Sequence, residues 1–323
     1  MPKIFDRRNA MAALAVAALA VTTACGSSGD DAKESSSSAG AKHTVTTAMG
    51  EVQVPGSPQR VVVLDTDALD SAVTLGVTPV GATAAFADAP LSSYLPQDKL
   101  AGVKEVGLIG QPNLEAIAAL KPDLILSSKV RDEKNYTALT AIAPTVFTET
   151  TGPAWRENFE LHADALGKKD EAKQIVSGYE SRVGEVAEAL GGAEKAKETK
   201  VGFVRFIEGA DTRLYLNDTF VGSIFADLGV GRPANQDTTG FSLDISPEQV
   251  DKANADVIFY STYGAPETAK ETGITTGPLW KKLDAVRNGK VFKVDDTLWM
   301  LGIGYTGAGM ILDEIQKDLS AAE

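Results

Sequence analysis

The sequence predicts an α/β fold made of two similar lobes with a helical bridge between them. The first observation behind this prediction is an internal repeat. Segments 115–126 and 248–259 each open with a glutamate, carry an aspartate eight residues later and end in an apolar run. Each copy has the pattern of a short helix feeding a buried strand, although such units can also resemble one another by chance. The copies are separated by a charged helical pattern over 155–190, and 323 residues are enough for two lobes.

The N-terminal lobe is predicted to span residues 43–152. It opens with a hairpin over 43–54 and continues with an apolar strand over 60–64, of the kind found in parallel sheets. A helix over 67–75 ends at Gly76, and a short strand follows over 78–81. The first copy of the repeat then completes this lobe.

The helical bridge is predicted over 153–192. Its pattern breaks near Gly167, and its second part carries apolar residues at spacings of three and four, which fits a long helix with one buried stripe. Gly191 and Gly192 are expected to end that helix. The C-terminal lobe, 193–323, is predicted to contain a strand over 200–207, a helix over 223–228, the second copy of the repeat, a helix over 280–286, a strand over 290–294 and a terminal helix over 308–319.

Export is indicated by the first 24 residues. Arg7 and Arg8 precede an uncharged stretch rich in Ala, Leu and Val, which has the pattern of a signal peptide and suits either the general or the twin-arginine export route. Cys25, the only cysteine, follows this stretch as the modified cysteine does in a bacterial lipobox, although Thr22 stands where leucine is usual. Residues 25–42 are serine-rich and nearly devoid of apolar side chains, so they are predicted to form a flexible tether.

Composition excludes several functions. A formal net charge of −13 argues against binding to nucleic acid, and one cysteine cannot form an internal disulfide. The sequence contains no Gly-x-Ser-x-Gly or His-Glu-x-x-His motif, so a secreted hydrolase is only a remote alternative and no catalytic residue is assigned. Direct binding of zinc or manganese is disfavoured because His43 and His162 are the only histidines.

Four segments carry a family resemblance: 58–64, 75–81, 112–126 and 299–312. With them, the chain from His43 onward resembles the iron–siderophore substrate-binding proteins of bacterial ABC importers. The resemblance implies two α/β lobes joined by a single long rigid helix, with a ligand cleft between the lobes. It further implies a monomer held at the outer face of the cell membrane by lipid on Cys25, with no cofactor of its own.

The resemblance gives a role to the glutamates that open the repeat. Family members dock with arginines of the two permease subunits through one glutamate on each lobe, and Glu115 and Glu248 match those positions. Such charges contribute orientation and encounter rate more than raw affinity. Alternatively, each glutamate only complements the dipole of its own helix.

The candidate ligand site begins with Phe203 and Arg205, which alternation places on one face of a strand. The resemblance to hydroxamate-binding members implies that Arg205 donates to the oxygens around the iron; alternatively, it is an edge-strand charge in a surface ion pair. Trp299 and Tyr260 are expected directly after strands, where clefts in α/β sheets open. Further aromatic candidates are Tyr215, Tyr263, Trp280 and Tyr305. For each of them, a place in the hydrophobic core is as well supported as a place in the ligand site. The first lobe contributes Phe86 and Arg131, together with Asp65, Asp67, Ser127 and Ser128, by the same strand-end rule.

Charge favours one ligand class. A ferric triscatecholate carries about three negative charges and would need several cations at its site. The candidate loops offer few cations among many acids, so a ferric hydroxamate of the ferrioxamine type is expected, with ferric citrate or a catecholate as lesser options. Haem or cobalamin on the same scaffold is the alternative, because an aromatic cleft also suits a macrocycle.

Overall fold

Two β-sheets and their surrounding helices make up the described part of the chain, residues 41–87 and 89–321 of the computed structural model. The predicted signal peptide, Cys25 and nearly all of the predicted tether lie outside these residues. Within them, no helix is both long and apolar enough to cross a membrane.

The first sheet is mainly parallel. The elements of this half are β1 (Lys42–Thr47), β2 (Gly50–Pro55), β3 (Val61–Val63), α1 (Thr66–Thr74), β4 (Gly81–Ala84), α2 (Gln97–Leu100), β5 (Lys104–Leu108), β6 (Gln111–Pro112), α3 (Leu114–Ala119), β7 (Leu124–Ser128), α4 (Lys129–Asp132), a 3₁₀ turn (Glu133–Asn135), α5 (Tyr136–Thr140) and β8 (Thr145–Thr148). The sheet has the order β6-β5-β4-β3-β7-β8, and β1 and β2 form the expected hairpin beside it. The strand predicted over 78–81 was placed too early: β4 begins at Gly81, since Pro79 has no N–H to donate to a neighbouring strand.

Two helices form the bridge, α6 (Trp155–Ala165) and α7 (Lys169–Ala189). The predicted break between them is confirmed, and Gly167 adopts a positive φ of 68° there. Helix α7 buries Ala172, Tyr179 and Val186 along the predicted stripe. Beyond α7 a third helix, α8 (Gly192–Glu198), follows almost at once, and the sequence pattern did not predict it.

The second sheet is mixed. Its half contains β9 (Val201–Ile207), β10 (Thr212–Tyr215), α9 (Phe220–Asp227), β11 (Ser242–Ile245), a 3₁₀ helix (Pro247–Ala253), β12 (Val257–Tyr263), α10 (Glu271–Thr275), a 3₁₀ turn (Trp280–Lys282), α11 (Asp284–Arg287), β13 (Val291–Lys293), α12 (Asp296–Leu301) and α13 (Tyr305–Ala321). The order is β11-β10-β9-β12-β13, with β9, β12 and β13 parallel and β10 and β11 antiparallel. The helix predicted over 280–286 is instead a 3₁₀ turn followed by α11, and helix α9 begins at Phe220 because Thr219 caps its N-terminus.

The repeated aspartates have equivalent structural roles. The Asp123 carboxylate accepts hydrogen bonds from the backbone N–H groups of Gln59 and Arg60, at 2.7 and 2.8 Å, where the chain enters β3. The Asp256 carboxylate accepts one from the N–H of Lys200, at 2.8 Å, where the chain enters β9. Each aspartate therefore fixes the start of the central strand beside its own. The repeat is a duplicated structural unit.

Replacing Asp123 with alanine should destabilise the protein more than replacing Asp256. Asp123 accepts two backbone hydrogen bonds and Asp256 accepts one. We expect losses of about 2 and about 1 kcal/mol in the free energy of unfolding. Urea denaturation of the two variants measures the difference. Equal losses would contradict the assumption that each hydrogen bond contributes about the same free energy of unfolding.

A buried carboxylate joins α1 to the last helix. Asp70 accepts hydrogen bonds from the N–H groups of Thr306 and Gly307 at the start of α13, at 3.2 and 3.1 Å, and from the hydroxyl of Tyr94 at 3.0 Å. Burial raises the pKa of Asp70 to about 6, although these donors oppose the shift. A side chain at Gly304 would collide with Asp70, so only glycine permits this approach. The last helix of the chain is thereby attached to the first lobe.

Candidate functional site

The carboxyl ends of the parallel strands in the two sheets meet at an aromatic contact. Phe86 follows β4 of the first sheet, and Tyr263 ends β12 of the second. Their ring centroids lie 5.5 Å apart. Strand ends of this kind are where ligands usually bind in α/β proteins. The strand ends of the two sheets therefore meet at Phe86 and Tyr263, and we call this meeting place the cleft.

Arg205 lies beside this contact and is held by an acidic partner. Its Nε and Nη2 donate to the two carboxylate oxygens of Asp296, at 2.7 and 2.6 Å, and its Nη1 donates to the Tyr215 hydroxyl at 3.3 Å. The guanidinium lies 5.4 Å from the centre of the Tyr263 ring. Burial lowers the pKa of Arg205, but the hydrogen bonds and charge of Asp296 outweigh it and the net shift is upward. Arg205 thus stays charged and fixed in orientation at the cleft.

The predicted environment of Arg205 is partly corrected. Phe203 and Arg205 do share a face of β9, as alternation predicts. However, β9 is the central strand of its sheet, so Arg205 is not an edge-strand charge. Its side chain is only 15% exposed and that of Asp296 only 12%. The pair is a partly buried one with two parallel hydrogen bonds, which gives it both strength and a defined geometry.

The first lobe presents a second charged group to the cleft. Arg131, just after β7, donates from Nε to the Asp65 carboxylate at 3.0 Å and remains 39% exposed. Burial and the nearby charge of Asp67 raise the pKa of Asp65 to about 6, against the lowering effect of Arg131. Lys129 pairs with Glu149 at 2.9 Å on the rim of a surface groove of about 510 Å³. Arg131, Lys129 and Arg205 therefore each have a carboxylate partner.

Most of the other aromatic candidates lie in the core. Phe203 and Trp299 are fully buried and stack with their rings 5.5 Å apart. Trp299 was expected directly after a strand, but it lies inside α12, whose buried face packs under the sheet. Tyr215 is also buried, and only its hydroxyl reaches Arg205. These three rings are therefore core residues that pack on one another on the same side of the sheet as Arg205.

Three further candidates lie away from Arg205. Tyr305 packs edge-on against Trp155, Phe159 and Tyr179, so it belongs to the aromatic core of the bridge. Tyr260 and Trp280 form edge contacts with each other on the opposite face of the second sheet, because residues 260 and 263 of β12 point to opposite sides. The structure thus brings together Phe86, Arg205 and Tyr263 and separates the other three.

Asp296 is the site residue that sequence reasoning missed. It comes shortly after β13, so the strand-end rule that selected Asp65 could have selected it too. Nothing in the local sequence, however, pairs it with an arginine in β9. Asp65 and Asp67, which the rule did select, are buried, and Asp67 accepts a hydrogen bond from Asn158 of the bridge at 2.8 Å.

The two repeat glutamates are exposed at helix starts. Glu115 lies in the first turn of α3, whose N-cap residue Asn113 accepts a hydrogen bond from the N–H of Ala116 at 3.0 Å. Glu248 lies in the first turn of the 3₁₀ helix, and a hydrogen bond from Ser246 lowers the pKa of its carboxyl. Both carboxylates are therefore presented to solvent on short, capped helices.

Comparison with known proteins identifies the family of the fold. The periplasmic binding protein family matches residues 61–298. A probable siderophore-binding lipoprotein of Bacillus subtilis (strain 168) is 40% identical over 313 residues, which cover 93% of this chain and 94% of that protein. A ferric-citrate-binding protein of the same strain is 31% identical over 297 residues, 90% of this chain and 89% of that protein. The crystal structure of Staphylococcus aureus SirA with staphyloferrin B has a TM-score of 0.76 at 34% identity, covering 86% of this chain and 98% of that one.

Proposed function

From the premise that this chain belongs to the periplasmic binding protein family, among the substrate-binding proteins of iron-siderophore ABC importers, we propose that it captures a ferric hydroxamate siderophore. It works outside the cytoplasm and delivers its ligand without chemical change. Lipid on Cys25 and the serine-rich segment after it would hold the protein near its permease as a monomer. Glu115 and Glu248 would meet the two permease subunits.

One observation carries the ligand class: the two arginines at the cleft are each paired with a carboxylate. Arg205 is held by Asp296 and Arg131 by Asp65. A ferric triscatecholate, with about three negative charges, would find the charge of these arginines already neutralised, so its desolvation would be poorly compensated. A ferric trishydroxamate is neutral or carries about one positive charge, so it can enter with the pairs intact.

In the proposed complex, Phe86 and Tyr263 contact the apolar linkers of the siderophore. Arg205 keeps its two hydrogen bonds to Asp296 and directs its remaining N–H groups toward the iron-bound oxygens. These groups include those on Nη1, which donates to the Tyr215 hydroxyl in the structure. The planar guanidinium suits this task because it can bind oxygens on one edge while the other edge remains occupied. Asp296 would thus act as a positioning residue for Arg205.

Ferric citrate is a second candidate, favoured by the relative named for it and by a feature of Arg131. The Asp65 carboxyl that holds Arg131 has a pKa of about 6. Near that pH a protonated Asp65 would release Arg131, which is 39% exposed, to a citrate carboxylate. Citrate binding by this route should therefore strengthen as the pH falls from about 7 to about 5.

Isothermal titration calorimetry of a protein beginning at residue 42 tests the proposal. Ferrioxamine B, a ferric triscatecholate, ferric citrate, haem and cobalamin are titrated at pH 7.5 and at pH 5.5. We expect submicromolar binding of ferrioxamine B at both pH values and weaker binding of the others. Tighter binding of the triscatecholate would refute the charge argument, tighter binding of citrate at pH 5.5 would favour the second candidate, and tight binding of a macrocycle alone would refute both.

A further inference from the structure

An apolar groove lies beside Glu248, between the 3₁₀ helix Pro247–Ala253 and α10. Its volume is about 370 Å³. Its apolar lining is formed by Pro247, Val250, Ile274, Pro278 and Leu279. Leu279 is 37% exposed, whereas Val250 and Ile274 are buried, so the groove exposes the edge of a packed core. This edge belongs to the cluster that includes Phe206 and Trp280, on the opposite face of the sheet from Arg205. The groove is therefore separate from the ligand cleft.

A glycine lines one side of the groove. Gly273 lies in α10 and is exposed, and a Cβ added there would meet no atom within 4 Å. Its φ is outside the positive range, so nothing in the backbone requires glycine at this position. A larger side chain would therefore be compatible with the fold and would take up space beside Ile274 and Leu279, which line the same groove.

Charges on the rim favour one kind of partner. The exposed Glu248 stands at one side of the groove, and its pKa is lowered chiefly by the hydrogen bond from Ser246. Lys270, which also lines the groove, lowers this pKa further through its charge. The Glu248 carboxylate nevertheless remains exposed to solvent at the edge of the groove, where an external cation can reach it. A partner that fits would present a basic residue to Glu248 and an apolar one beside it.

We propose that this groove receives an apolar side chain of the permease subunit whose basic residue pairs with Glu248. The inference rests on the proposed function and deepens it, because it adds an apolar anchor to a docking contact otherwise made by charges alone. Charged rims set orientation and encounter rate, whereas buried apolar anchors slow dissociation. Insertion at one lobe would therefore slow dissociation of the docked protein from the permease.

Gly273→Leu tests the proposal by filling the groove. The leucine has room and a higher helix propensity than glycine, so the fold should be preserved. Gly184→Leu is the matched control, since Gly184 is also an exposed helical glycine, in α7, with open space around its Cβ position. A second test variant, Leu279→Glu, places a charge at the groove. Each variant replaces the native protein in cells that lack it, and uptake of ⁵⁵Fe-ferrioxamine B and ⁵⁵Fe-citrate is measured beside calorimetric affinity.

Gly273→Leu and Leu279→Glu should each lower the initial uptake rate about tenfold with unchanged ligand Kd, and Gly184→Leu should have little effect. Wild-type uptake by Gly273→Leu would overturn the inference and leave the proposed function intact. A loss of ligand affinity in that variant would overturn it as well, since the groove would then serve the ligand. Failure of the native protein to bind either iron complex would instead count against the proposed function.

Discussion

Iron uptake should fall about 100-fold when Glu115 and Glu248 are both replaced by alanine, since the loss of about 1.4 kcal/mol of docking free energy at each lobe is a factor of ten. The ligand Kd should stay within about twofold of the native value, because both carboxylates are exposed and lie outside the cleft. Each single variant should lose about tenfold in uptake. Uptake of ⁵⁵Fe complexes by whole cells and calorimetry on the purified protein provide the two measurements.

The control for this experiment is the pair Glu51→Ala and Glu198→Ala. Both residues are exposed acids, so the control removes the same charge from the protein without touching a helix start of the repeat. We expect it to support nearly native uptake. If the control loses as much uptake as the test pair, net charge rather than specific docking explains the effect; if the test pair loses ligand affinity, the docking assignment is wrong.

Arg205→Ala should both destabilise the protein and weaken ligand binding. The variant leaves the Asp296 carboxylate, whose side chain is 12% exposed, with the Ser261 hydroxyl as its remaining close donor at 2.7 Å. Removing one partner of a largely buried pair costs about 3–5 kcal/mol of stability, which urea denaturation should detect. The affinity for ferrioxamine B should fall by at least about tenfold, because a charge-assisted hydrogen bond to the iron-bound oxygens is lost.

The double variant Arg205→Met with Asp296→Asn separates the two effects. It removes both charges and keeps most of the side-chain volume, so much of the stability should return. Ligand affinity should remain low, because methionine has no hydrogen-bond donor. Native affinity in a stable double variant would contradict the assignment of Arg205 to the ligand, and equally low stability would contradict the account of an unpaired carboxylate.

Patterns local in sequence predicted much of this fold. The repeat predicted two helix–strand units, and in the structure Asp123 and Asp256 both accept backbone hydrogen bonds at the start of the neighbouring strand, two for Asp123 and one for Asp256. The break near Gly167 was predicted because glycine is the residue that readily adopts its positive φ. Alternation also gave the correct shared face for Phe203 and Arg205.

Structural features that depend on residues far apart in the sequence could not be predicted. Alternation shows which side chains share a face of a strand but not what covers that face, so Phe203 and Trp299 could not be recognised as mutually buried. The bond between Arg205 and Asp296 spans 91 residues, and neither residue has a local neighbour that signals the other. For the same reason Tyr305, which joins an aromatic cluster of the bridge, could not be separated from cleft residues.

The attachment of α13 to Asp70 has a consequence for the order of folding. These hydrogen bonds join residues 236 and 237 positions apart in the sequence. Contacts of such separation form late, because a long loop must close before they contribute. The first turn of α13 must therefore be in place before these bonds to α1 can form. The final packing of α1 is thus reached only after the chain has been synthesised to beyond residue 307.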